Sequence, residues 1–212
     1  TVKRFTPKSF AQDFVGFKPD EYVIVSSVPI LEQDRYFRVK GLVNAVTSPG
    51  ERSFETKFLN LSPERMLELT TGSIDAGQAV WFAADIGKSG DRTSGILHPE
   101  LYQTSTVYGL DGQNTSGVQA LRDQFFLKLT DATHAMVFTA YDRPNPNGPV
   151  VKLKVENSWG VENGDKGIYH MYSEWFRKSV FQVIIKRDLL SEKEKALLAS
   201  KPKTITKDQY FD

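Results

Sequence analysis

The hydrophobic pattern of this chain changes character along its length. Helically spaced apolar positions are common up to about residue 130, and alternating runs dominate beyond it. Thr6-Pro7, ahead of Lys8-Ser9-Phe10-Ala11-Gln12-Asp13-Phe14, predicts an N-cap, a proline at the first helical position and a short amphipathic helix. Tyr22-Val23-Ile24-Val25 predicts a strand and Tyr36-Phe37-Arg38-Val39 another. Residues 45–60 mix Pro, Gly, Ser and charge without a period and predict a loop. Ser62-Pro63-Glu64 opens a second helix that buries Met66, Leu67, Leu69 and Ile74 on one face. A buried strand is predicted over 79–84 and a glycine-rich loop over 87–95. Val118, Leu121, Phe125 and Leu129 repeat as in a helix running from Ser116 to about Leu129.

From there the pattern predicts strands at 134–141, 150–156, 167–171 and 180–186, separated by turn-rich stretches such as Arg143-Pro144-Asn145-Pro146-Asn147-Gly148. Ser191-Glu192-Lys193-Glu194 is a capping box ahead of a charged terminal helix. Helices first and strands afterwards define an α+β chain. Three segments follow: a helical and mixed segment 1–130, a β-rich segment 131–190, and a C-terminal helix and tail 191–212. No internal repeat is visible.

Composition narrows the function classes. With 212 residues, 40% hydrophobic and 25% charged, the chain can bury one sizeable core. A net charge of +1 gives no electrostatic reason to expect nucleic acid or an anionic membrane as partner, and Arg177, Lys178, Lys186 and Arg187 read as solvated edge charge. The chain holds no cysteine, which excludes disulfides and thiolate metal sites within it and fits a reducing compartment. No run of apolar residues is long enough to span a membrane. Thr1-Val2-Lys3-Arg4-Phe5 has neither an initiator methionine nor a secretory apolar run, so a processed chain or a piece of a longer one is expected.

Several motifs carry nothing. No His-x-x-x-His or Asp-x-Asp cluster supports a metal, and no cofactor is expected. Asp85-Ile86-Gly87-Lys88-Ser89 looks like the end of a phosphate-binding loop, but Phe82 stands where the first glycine is needed. Asn60-Leu61-Ser62 and Asn114-Thr115-Ser116 fit the glycosylation pattern and are read as chance. His98, before Pro99, and His170, in an alternating strand, are expected to face solvent.

Two segments do carry chemistry: Thr133-His134-Ala135-Met136 and Glu156-Asn157-Ser158-Trp159-Gly160. A lone histidine beside an apolar strand is more often structural, and Asn-Ser-Trp-Gly alone could be a turn. Together they suit a base, His134, whose ring N–H is held by the side-chain oxygen of Asn157, with Trp159 keeping water from that bond. Antiparallel pairing of the two β-runs would bring them side by side. The base and its orienting group are present; a nucleophile is not.

With Val137-Phe138-Thr139-Ala140, Lys166-Gly167, Glu174-Trp175-Phe176 and the upstream 79–88 segment, these motifs resemble the bleomycin hydrolase and aminopeptidase C family, the cytosolic branch of papain-like cysteine peptidases. The resemblance covers most of the chain. It implies a papain-like fold, a cytoplasmic thiol aminopeptidase acting on peptides, His134 as catalytic base and acid, Asn157 as its orienting partner and Trp159 as their shield. It also implies that the nucleophilic cysteine and the oxyanion-hole glutamine belong to an N-terminal half, so that this chain corresponds to the C-terminal half and is inert alone. Members of the family form hexameric rings and some bind nucleic acid; the near-neutral charge here bears on neither. Family members close with an apolar tail lying in the cleft, whereas this chain closes with 204–212, polar and charged, which leaves the exopeptidase restriction open. Two alternatives stay open beside this reading: a non-catalytic pseudopeptidase domain kept for binding or assembly, and a split enzyme whose cysteine comes from another chain.

Overall fold

The computed structural model describes residues 3–16, 18–40, 56–109, 118–206 and 209–210. In chain order the strands are β1 Tyr22–Ser26, β2 Arg35–Lys40, β3 Lys57–Asn60, β4 Val80–Ala84, β5 Gly90–Asp91, β6 Ile96–Leu97, β7 His134–Asp142, β8 Lys152–Glu156, β9 Ile168–Tyr172, β10 Val180–Lys186 and β11 Lys203–Thr206. They join one sheet in the order β11-β2-β3-β1-β10-β4-β7-β8-β9-β6-β5. The helices are α1 Pro7–Ser9, α2 Pro63–Asp75, α3 Thr104–Val107, α4 Val118–Phe126, α5 Ser173–Ser179 and α6 Glu192–Ala199.

The central strands β1, β10, β4, β7, β8 and β9 pair antiparallel throughout. Alternate residues of β10, β4 and β7 (Val183, Phe82 and Met136) lie in register on one face. That face forms the main core with Phe138, Val155, Tyr169, Trp175 and Phe176, all essentially buried. Phe82 and Phe138 stack with centroids 3.7 Å apart. Each such side chain contributes roughly 2–3 kcal/mol through removal from water. α2 closes this core because its apolar positions Met66, Leu67 and Leu69 recur on one face, as its sequence predicts. Ser62 caps it by accepting from the Arg65 N–H at 3.1 Å.

A second cluster packs Phe37, Phe58, Phe125, Phe181, Ile205 and Tyr210. Tyr210 stacks on Phe58 at 4.5 Å, bonds Ser26 Oγ at 3.1 Å and accepts from Gln182 Nε2. Burial pushes its phenol pKa up. The tail is thereby pinned to the sheet: β11 pairs parallel with β2, a strand that the polar sequence of 203–206 does not announce.

Other expectations need correction. The end of the presumed loop 45–60 is β3, paired on both sides between β2 and β1, and residues 41–55 lie outside the described residues. The polar segment 87–95 is not all loop, since β5 pairs with β6. The helix expected from Ser116 to about Leu129 is seen as Val118–Phe126, its first residues lying outside the described ones. α5 was not expected from periodicity; its Trp175 and Phe176 are adjacent, and both are buried between sheet and helix. The first helix has its predicted Thr6 cap but continues as a wider π-helical turn, Phe10–Val15, that buries no residue.

Asn60 is wholly buried. Its Oδ1 accepts from the Val28 N–H at 2.8 Å, and its amide donates to the Val28 and Glu32 carbonyls at 3.2 and 3.1 Å. Such a side chain cannot carry a glycan in the folded protein. Asn114 lies outside the described residues.

Candidate active site

His134 opens β7 and is in register with Ala84, the last residue of β4. The neighbouring Thr133 fixes that end of the pair: its N–H donates to the Ala84 carbonyl at 3.0 Å, and its Oγ1 accepts from the Ile86 N–H at 3.2 Å. β8 runs back alongside β7 with Val137 opposite Glu156, so Asn157 emerges one residue beyond the paired region. Its N–H donates to the Gly167 carbonyl at 3.1 Å, which closes the 157–167 loop at its neck. The sequence reading of antiparallel neighbours is realised by direct pairing of β7 with β8.

The result is a bond of 2.9 Å between His134 Nε2 and Asn157 Oδ1. That oxygen also accepts from the Ser158 N–H at 2.8 Å. A backbone N–H can only donate, so the amide oxygen, not the nitrogen, faces both partners, and Nε2 must carry the imidazole proton. The Nδ1 lone pair is left without a hydrogen bond among the described residues. The amide nitrogen of Asn157 is buried without a hydrogen-bond partner.

Trp159 covers the pair. Its ring lies 4.7 Å from the His134 ring at an interplanar angle of 28°, and Tyr169 meets it edge-on at 5.9 Å and 82°. Burial raises the Tyr169 phenol pKa, opposed by the charge of Arg92. The chain can turn away directly after the tryptophan because Gly160 takes a positive φ of 91°. Gly164 leaves no room for a side chain: a Cβ there would stand 2.4 Å from the Ile168 carbonyl oxygen.

Two features near the site escaped sequence reasoning. The guanidinium of Arg92 lies over the Trp159 ring at 4.9 Å, and Tyr169 from β9 donates its hydroxyl to the Arg92 carbonyl at 3.1 Å. The glycine-rich composition of 87–95 was the available signal, since close backbone approach is what glycines permit. The other two histidines are elsewhere and half-buried rather than solvent-facing. His98 accepts from the Glu100 N–H at 3.1 Å through Nδ1 and meets the Tyr172 ring edge-on, while His170 is enclosed between β6 and β8. Among the described residues no three His, Asp or Glu side chains gather as a metal site, and no helix is long and apolar enough to cross a membrane.

A histidine at the start of a sheet strand, bonded to an asparagine under a tryptophan, stands here on the fold of the papain-like peptidases. Superposition on the crystal structure of PepW from Lactobacillus rhamnosis gives a TM-score of 0.85 at 29% identity, over 99% of this chain and 46% of that one. Residues 1–208 match the Peptidase C1-like family, and the chain belongs to it. It is 31% identical over 205 residues to aminopeptidase C of Streptococcus thermophilus and 33% identical over 202 residues to aminopeptidase C of Lactococcus lactis subsp. cremoris. Those alignments take in 96% and 94% of this chain but 44% of each relative, so the chain spans less than half the length of the curated relatives it matches.

Proposed function

We propose that the chain supplies the base and its orienting group to a cysteine-type aminopeptidase that cleaves peptides. The thiol would come from polypeptide that this chain does not span. The observation that carries this reading is the His134–Asn157 bond at 2.9 Å, which spends Nε2 and leaves Nδ1 for a thiol. Nδ1 takes the thiol proton, and the thiolate attacks the peptide carbonyl. The same nitrogen then gives that proton to the leaving amine, and afterwards draws one from water as the thioester is hydrolysed. Asn157 fixes the tautomer through the whole cycle. Trp159 keeps water from competing for the Nε2–H. The oxyanion donors, each worth roughly 3 kcal/mol in such reactions, would belong to the same missing portion as the thiol.

Exposed apolar residues support a larger catalytic unit. Phe126, Leu127 and Leu129 are 79%, 61% and 59% exposed in one short stretch, more than a free surface usually leaves in water. The reading places residues 131–190 as the catalytic β-rich segment, and the enzyme in the cytoplasm as a homo-oligomer. The lack of cysteine in these 212 residues is equally what the second reading, a non-catalytic peptidase-like domain, would show.

Treating the native protein from its source with a thiol-directed epoxide and measuring intact mass separates the two. A species roughly twice the mass of this chain, carrying one adduct and losing peptidase activity with it, is expected. A native species of this chain's own mass, with no adduct on it or on a co-purifying chain, would overturn the proposal. In the unlabelled full-length enzyme His134→Ala should abolish turnover with folding retained; surviving turnover would remove His134 from its role.

A further inference from the structure

We propose that Arg92 is a positioning residue for the His134–Asn157 pair, acting through Trp159. The inference rests on the reading of His134 as a base, but its geometry stands independently. Arg92 follows β5 in the turn leading to β6, and Asp91 shapes that turn by accepting from the Thr93 and Ser94 N–H groups at 3.0 and 3.2 Å. The side chain reaches the 157–167 loop, where the Arg92 Nε–H donates to Asn163 Oδ1 at 2.7 Å. Asn163 in turn donates from Nδ2 to the Trp159 carbonyl at 2.6 Å. The guanidinium plane ends 4.9 Å from the centre of the Trp159 ring. One arginine therefore grips the tryptophan twice: through its ring, and through its backbone by way of Asn163.

The backbone of Arg92 is itself fixed. Its carbonyl accepts from the Gly164 N–H and from the Tyr169 hydroxyl, each at 3.1 Å. Gly95 locks the other end of the turn, because its carbonyl accepts from the His170 N–H at 2.7 Å, and a Cβ on it would stand 2.8 Å from Gly164 Cα. The turn is thus a rigid platform bolted to β9 and to the loop. Trp159 is contacted by the guanidinium, by the Tyr169 edge and by the His134 ring. An indole free to rock would admit water to Nε2–H, and water competes with Asn157 for that proton. A cation over an indole face is worth about 0.5–1 kcal/mol at an exposed site such as that of Arg92, enough to shift the populations of a side chain whose ring makes no hydrogen bond among the described residues.

The test reads the imidazole rather than peptide turnover, so it is independent of whether the whole protein cleaves peptides. Long-range proton–nitrogen correlation spectra of the 212-residue chain, recorded above the titration range of imidazole, report which ring nitrogen of His134 bears the proton. The wild-type chain is expected to show one tautomer, Nε2–H. In Arg92→Ala the ratio of Nε2–H to Nδ1–H should fall about threefold or more, and Arg92→Lys, which keeps the charge but not the planar fork, should fall between. Asn60→Ala serves as a control, because it weakens the fold at a distant strand and should leave the ratio unchanged. An unchanged ratio in either folded Arg92 variant overturns the proposal, as does an equal change in the Asn60 control. If Arg92→Ala fails to fold, Arg92→Lys alone decides.

Discussion

Glu194→Gln tests the joint that ties α2 to α6. Glu194 is buried, and its carboxylate receives four donors: Arg65 Nε at 2.8 Å and Nη2 at 3.0 Å, and the Ser191 N–H and hydroxyl at 2.7 and 2.9 Å. It is the capping-box glutamate of α6 and the bidentate partner of an arginine on α2. The arginine bonds hold its pKa down at about 2, against an ordinary 4.5, with burial opposing and Ser191 helping. That difference corresponds to a ceiling of about 3.4 kcal/mol at 1.36 kcal/mol per unit. Because the Arg65 side chain is 33% exposed, solvent screening reduces the figure to about 2 kcal/mol. A group whose folded pKa is depressed stabilises fully above its unfolded value, and this contribution fades as pH falls through its folded value. Urea unfolding of wild type and Glu194→Gln should thus differ by about 2 kcal/mol at pH 7, and the gap should close between pH 4.5 and 2 as the glutamate becomes a neutral isostere of glutamine. A gap that stays constant over that interval, or one below about 0.5 kcal/mol at pH 7, would refute the argument.

Three further outcomes are expected. Asn60→Ala leaves the Val28 N–H, buried beside it, without its acceptor, and should lower unfolding free energy by about 3 kcal/mol in denaturant titration. Gly164→Ala must place a Cβ against the Ile168 carbonyl at a φ of +61°, so a loss of about 1–3 kcal/mol and a shifted Trp159 indole resonance are expected; an unshifted resonance would uncouple the loop from the tryptophan. Phe138→Ala removes the ring stacked on Phe82 at the centre of the main core and should cost about 3–5 kcal/mol by thermal unfolding, without altering the His134 tautomer.

The pairing of His134 with Asn157 was legible because the candidate chemistry is written in side-chain type, and the strands carrying it alternate cleanly. β7, β8, β9 and β10 fell where their runs predicted. The elements that were missed fail that signal for separable reasons. β3 is a short apolar run (Lys57-Phe58-Leu59-Asn60) hidden at the end of a polar, glycine- and proline-bearing stretch, and its last side chain, Asn60, is a buried polar group whose partners are backbone atoms contributed by 28–32. β11 is polar because it lies at the edge of the sheet, where a parallel partner and one inward residue, Ile205, are enough to hold it. The turn bearing Arg92 gave only its glycines. Its purpose depends on contacts between residues far apart in the chain, Arg92 with Asn163 and Gly95 with Gly164, and periodicity carries no information about such pairs. What a single sequence conceals here is the support behind the candidate base. A histidine and an asparagine can be read by type, but whether their bond is held depends on which distant backbone the tryptophan above them is fastened to. That fastening is the part of the site where a substitution remote in sequence should be felt at the imidazole.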